Sequence, residues 1–165
     1  MEAMIIRDAI VEDLPGILEI YNDAIRRLTA TFDLEEKTLE DRREWFSHYG
    51  AHHPLIVAHA DGKIAGYSSL SMFREKEAFK STAELSLYIA EDFRGRGIGK
   101  ALMLEIVNRA RKVGFHTIVS GITAGNEISV RMHEQFGFQY VGNFREVGSK
   151  FGRWQDVLFY QLMLE

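Results

Sequence analysis

The spacing of hydrophobic residues changes from segment to segment, and those changes outline the elements. Met4–Ala9 reads as a short strand. Leu14, Ile17, Leu18, Tyr21 and Ile25 then recur at helical spacing behind Pro15, a residue suited to a first helical turn. Thr38 and Asp41 have the spacing of a capping box, with Asp in place of Glu, and open a second helix through Trp45 and Phe46. Between these helices, residues 26–37 have no period. They carry Thr29, Thr31 and Phe32, and are expected to form a loop walling a binding site. Leu55–Ala60 and Lys63–Phe73 flank Asp61-Gly62, the dipeptide of a tight hairpin turn.

After the polar stretch 74–81, the segment Thr82–Ala90 alternates. Leu85, Leu87 and Ile89 fall on one face, with Glu84, Ser86 and Tyr88 on the other. A third helix is predicted from about Gly97 to Val113, with Leu102, Ile106, Val107 and Ala110 turned inward and Gly114 as its stop. Thr117–Thr123 reads as a strand and Glu127–Gln135 as a helix stopped by Gly137. Phe138–Phe144 and Trp154–Leu164 read as two last strands joined by a Gly-rich connection. A helix crossing between strands 82–90 and 117–123 requires at least one parallel strand pair. The expectation is one mixed α/β domain over residues 1–165.

Composition narrows the function classes. The 165 residues are 46% hydrophobic and 27% charged, the balance of an ordinary globular protein. A net charge of −4 argues against a broad nucleic-acid footprint, so no nucleic-acid partner is expected. Cysteine is absent, which removes disulfides, thiolate chemistry and cysteine-based metal sites. The histidines at 48, 52, 53, 59 and 116 form no ligand set, and no metal is expected. No apolar run approaches the ~18 residues of a membrane span, so no membrane partner and a cytoplasmic location are expected.

The densest chemical signal is Arg94-Gly95-Arg96-Gly97-Ile98-Gly99 followed by Lys100, between an alternating strand and an amphipathic helix. Glycines permit a tight bend, and the first-turn N–H groups of a helix favour an anion. Three basic side chains converge there, which a purely structural turn does not need. A dinucleotide fingerprint has its third glycine one residue later and an acidic residue ~20 positions on. The segment around Phe115–Val119 has neither Asp nor Glu. The pattern therefore reads as a pyrophosphate site other than a nicotinamide one.

Arg94-x-x-Gly97-x-Gly99 behind an alternating strand resembles the coenzyme A loop of the GNAT N-acetyltransferases. Asn126-x-x-Ser129, followed by His133-Glu134 and Gly137-Phe138, is similar to a second and more specific element of that family. Three further segments resemble its phosphinothricin and methionine sulfone/sulfoximine acetyltransferase branch. They are Tyr21-Asn22, Thr82-x-Glu84-x-Ser86-x-Tyr88, and Gly148-x-Lys150-Phe151-Gly152-Arg153-Trp154-x-Asp156. The resemblance spans nearly the whole chain. It implies a mixed, mostly antiparallel central sheet, splayed at one parallel pair and flanked by helices. It also implies acetyl-CoA as donor, a small-molecule amine as acceptor, and a homodimer.

The same resemblance implies roles for individual residues. Backbone N–H groups of Gly95, Arg96, Gly97, Ile98 and Gly99 hold the coenzyme A pyrophosphate, with Arg94 and Lys100 adding charge. Leu87, Tyr88 and Ile89 receive the pantetheine arm like an added strand. An N–H near Tyr88 or Ile89 meets the oxygen on which charge develops. Asn126 and Ser129 contact the cofactor from the other side.

Glu84 interrupts a strand rich in apolar residues and is the candidate general base. An ammonium must lose a proton before it attacks, and a partly buried carboxylate is suited to take it. A solvent-facing strand glutamate is the alternative reading of the same residue. His133 occupies the position where many relatives have a tyrosine that protonates the departing thiolate. A neutral histidine needs the correct tautomer for that, and a satisfied helix-face histidine is the other reading. Arg74 is the candidate clamp for a substrate carboxylate, or else a solvated charge beside Glu75, Lys76 and Glu77. Phe73 is a candidate pocket wall, and Phe32 and residues 150–154 are candidates for the pocket, a dimer surface or the core. Lys76 and Phe79 depart from the branch, where some relatives have arginine and tyrosine. Two further readings remain open: acetylation of a protein N-terminus or lysine, and a non-catalytic acetyl-CoA sensor.

Overall fold

A computed structural model describes residues 3–165. Seven strands form one sheet in the order β1-β2-β3-β4-β5-β7-β6. They are β1 (Ile5–Asp8), β2 (Leu55–Ala60), β3 (Lys63–Met72), β4 (Thr82–Ile89), β5 (Thr117–Thr123), β6 (Gln139–Lys150) and β7 (Arg153–Met163). Four helices cover it: α1 (Leu14–Arg27), α2 (Leu39–Phe46), α3 (Ile98–Val113) and α4 (Glu127–Gln135). Every strand pair is antiparallel except β4–β5. This is the mixed, mostly antiparallel sheet expected from the resemblance. No helix among the described residues is long and apolar enough to cross a membrane.

Strand periodicity sorts side chains onto two cores. Leu55, Val57 and Tyr67 join Leu14, Ile17 and Ile20 of α1 on one face. Ile56, Ala58, Leu70 and Leu85 join Leu102, Met103, Ile106, Val107 and Ala110 of α3 on the other. β2 is therefore covered on both faces, which its continuous apolar run requires. Local signals act where expected. Thr38 N donates to Asp41 Oδ2 at 2.8 Å, and Asp41 N donates to Thr38 Oγ1 at 3.1 Å. Asp61 and Gly62 both have positive φ, as a primed hairpin turn demands.

The Gly-rich connection expected after Phe144 is instead strand. β6 continues to Lys150 and turns tightly through Phe151 and Gly152 into β7. The register shifts between Tyr140 and Gly142 and again between Phe144 and Gly148, where Glu146 adopts positive φ. These irregularities break the two-residue period from which a strand is read.

Candidate active site

The only parallel pair among the described residues is also where the sheet opens. β4 and β5 are in register over Thr82–Thr117, Ala83–Ile118 and Glu84–Val119, and pairing stops there. β4 remains bonded to β3 as far as Ile89, and β5 to β7 as far as Thr123. Beyond Glu84 the facing edges are free, so their backbone donors and acceptors are available to a ligand. A cleft of about 90 Å³ occupies the gap, lined by residues including Leu87, Tyr88, Asn126, Ser129 and His133.

At one end of this gap the loop before α3 presents its backbone. Gly95 and Gly97 have φ of 76° and 79°, and no heavy atom stands within 4 Å of where either Cβ would be. Both glycines are thus required by conformation, and open space lies before them. Gly97 is the N-cap of α3 and no side chain caps that helix. The first-turn N–H groups are therefore unclaimed, the condition for an anion at a helix start. Arg94 and Lys100 are exposed beside them. Arg96 stacks over Phe93 at 5.0 Å and lies 3.4 Å from Asp61. These groups fit a pyrophosphate.

Asn126-x-x-Ser129 has a local structural cause as well. Asn126 is the N-cap of α4, and its Oδ1 accepts from Ser129 N at 3.2 Å. His133, one turn further, is 4% exposed. Its Nδ1 lies 2.7 Å from the Ser129 carbonyl oxygen, which only accepts, so Nδ1 carries a proton. Nε2 lies 2.8 Å from Ser120 Oγ and, in the neutral ring, accepts from it. Burial lowers the His133 pKa, which favours that neutral ring. In this tautomer Nε2 has no proton for a thiolate, so the geometry departs from the expected direct proton donor.

Glu84 lies on the other face of β4, opposite Ser71. Its carboxylate is partly buried and accepts no hydrogen bond among the described residues. Burial raises its pKa, and the nearby Arg74 charge pulls it back part of the way. Arg74 is exposed, donates to the Phe73 carbonyl at 3.2 Å and covers the Phe73 ring at 4.2 Å. Phe73 in turn meets Phe79 edge-on at 6.1 Å. Arg74, Phe73 and Glu84 thus gather at one end of the β3–β4 pair.

The loop between α1 and α2 is built by long-range contacts. Thr123 Oγ1 donates to Thr29 O at 2.6 Å, and the Tyr88 hydroxyl to Ala30 O at 3.3 Å. The buried Lys150 Nζ donates to the carbonyls of Ala24, Leu28 and Thr31 at 3.3, 2.5 and 2.9 Å. Phe32 packs on Gly148 so closely that a Cβ there would stand 2.6 Å from its ring. Sequence reasoning noted Lys150 only as part of a segment. Nothing in that segment, which resembles the branch, indicates the carbonyls that Lys150 binds.

An open parallel pair, a helix start bare of caps and a desolvated carboxylate lie around one end of the β4–β5 seam. Comparison with known proteins identifies the class. The family model described as an acetyltransferase (GNAT) domain matches residues 6–159. A methionine sulfoximine/methionine sulfone acetyltransferase of Pseudomonas paraeruginosa is 43% identical, over 97% of this chain and 94% of its own length. A phosphinothricin acetyltransferase of Sinorhizobium meliloti, solved with acetyl-CoA, superposes with a TM-score of 0.93 at 33% identity, covering 98% of this chain and 88% of its own. A ribosomal-protein-alanine N-acetyltransferase of Brucella melitensis superposes at 0.95 with 40% identity, covering 97% and 99%. The chain belongs to the GNAT acetyltransferase family.

Proposed function

We propose that the protein transfers an acetyl group from acetyl-CoA directly to the primary amine of a small amino-acid-like acceptor, of the phosphinothricin, methionine sulfone or methionine sulfoximine type. The observation that carries this reading is Glu84, a desolvated carboxylate free of protein donors, on β4 where its pairing with β5 ends. The α3 start holds the pyrophosphate, and the free edge of Leu87–Ile89 holds the pantetheine arm and supplies an N–H to the oxygen that gains charge. Glu84 takes the amine proton, directly or through water, and Arg74 holds the acceptor carboxylate. Acetyl-CoA supplies the activated acetyl group. His133 serves as a positioning residue that holds Ser120 and the start of α4. A homodimer suits the sheet edge, where β6 exposes Tyr140, Val141, Phe144 and Val147.

A panel of acceptors tests the proposal through CoA release. Methionine sulfone, methionine sulfoximine and phosphinothricin should be acetylated much faster than peptides bearing an N-terminal alanine. The Brucella neighbour makes that peptide arm the relevant rival. Turnover confined to peptides contradicts the acceptor class, and tight acetyl-CoA binding without turnover on any amine identifies a sensor.

A further inference from the structure

The β3–β4 face that carries Glu84 continues away from it as a polar row. Ser71 faces Glu84, Ser69 faces Ser86, and Tyr67 faces Tyr88. Successive pairs on this face stand about 6.7 Å apart. A cleft of about 440 Å³ runs over the row beneath α2, within the size range of small-molecule sites. It shares Ser86 and Tyr88 with the cleft in the β4–β5 gap, so the two adjoin.

Arg42 of α2 lines this cleft and is 5% exposed. Its guanidinium lies 4.1 Å from the centre of the Tyr21 ring and 4.3 Å from that of Trp45. Those rings meet Tyr88 and Tyr67 edge-on at 5.5 and 6.0 Å. Arg42 Nε and the Tyr67 hydroxyl are the two buried side-chain polar atoms without a hydrogen-bond partner among the described residues. The carboxylates around the cleft are turned elsewhere. Asp33 accepts from the Tyr21 hydroxyl and faces Lys37 at 3.9 Å. Asp41 caps α2 through Thr38 N, and Glu44 faces His48 at 3.7 Å. Ring contacts offset only part of the hydration that a buried guanidinium loses, and such a charge is ordinarily paired. A planar fork with no protein acceptor is suited to an oxygen-bearing ligand.

We propose that Arg42, with the Tyr67 hydroxyl beside it, receives the oxygen-bearing end of the acceptor's side chain — a sulfone, phosphinate or carboxylate — while Arg74 holds the α-carboxylate near Glu84. This rests on the amino-acid acetyltransferase reading above. The acceptor then lies along the polar row with its two oxygen-bearing ends on two different arginines. Arg42 sets side-chain specificity and takes no part in moving the proton.

Steady-state kinetics with methionine sulfone and methionine, which differ only in the two sulfone oxygens, tests the assignment. Wild-type protein should prefer the sulfone. Arg42→Met should reduce kcat/KM for the sulfone by roughly 10- to 100-fold, through KM, with little change for methionine or in the KM for acetyl-CoA. Arg42→Lys and Tyr67→Phe, which keep the charge and the ring respectively, should lose the preference partially and serve if Arg42→Met fails to fold. An unchanged sulfone-to-methionine ratio in all three variants overturns the proposal. Equal losses on both acceptors overturn it too, because Arg42 would then hold the α-carboxylate. A wild-type protein that turns over neither amino acid overturns the functional reading and this site with it.

Discussion

The donor and acceptor sides of the proposed site are built in opposite ways. On the donor side a short run of chain, from the free end of β4 through Gly97 to the first turn of α3, presents backbone groups. On the acceptor side, side chains come from α1, α2, β3, β4 and the β6–β7 hairpin. Lys150 alone reaches carbonyls more than a hundred residues away in sequence. A backbone site depends on local conformation and tolerates most side chains except where φ is positive. A side-chain site depends on packing between distant segments, and a change at a single position alters what it accepts.

Variants on the two sides should therefore separate kinetically. The largest effect falls at the seam: Glu84→Gln should lower kcat by about 10²- to 10⁴-fold, measured as CoA release at saturating substrates. Burial raises the Glu84 pKa. The carboxylate must be ionised to accept a proton, so wild-type activity should fall as pH drops through a value above the ordinary glutamate pKa of 4.5. The variant should lack that limb, and a variant with full activity and an unchanged limb removes Glu84 from the mechanism.

Lys150→Met should affect the acceptor side next most strongly. It strips three carbonyls of their donor and should cost about 1–3 kcal/mol of stability, read by denaturant unfolding. The loop over residues 28–32 then loosens, so the KM for the acceptor should rise while that for acetyl-CoA changes little. Equal rises in both would show that the two sides are coupled. Gly97→Ala probes the donor side. The space around Gly97 is open, so only the left-handed backbone opposes a Cβ, at about 1–2 kcal/mol. Its kinetic mark should be a higher KM for acetyl-CoA with the acceptor KM unchanged.

The same contrast decided what the sequence revealed. β5 and α4 have the expected bounds, and β4 differs by one residue: β4 alternates, and Asn126 and Gly137 bracket α4. The glycine loop was legible because its chemistry lies in consecutive residues. The strand at 145–150 was hidden by shifts in register, and the role of Lys150 by its distance from the carbonyls it binds. His133 was legible as a position, but its tautomer depends on Ser129 O and on Ser120, which lies in another element. In sequence Arg42 looks like one more charge on a short polar helix. Only the packing of Tyr21 and Trp45 around it distinguishes it from Arg43, which is exposed.

Direct transfer within one complex is the central claim, because the β4–β5 gap adjoins the acceptor cleft and the chain has no cysteine to carry an acyl group. Initial rates of CoA release over a matrix of acetyl-CoA and methionine sulfone concentrations test it most directly. Intersecting double-reciprocal lines are the predicted result; parallel lines, with free CoA released in a burst before any acceptor is added, would contradict it.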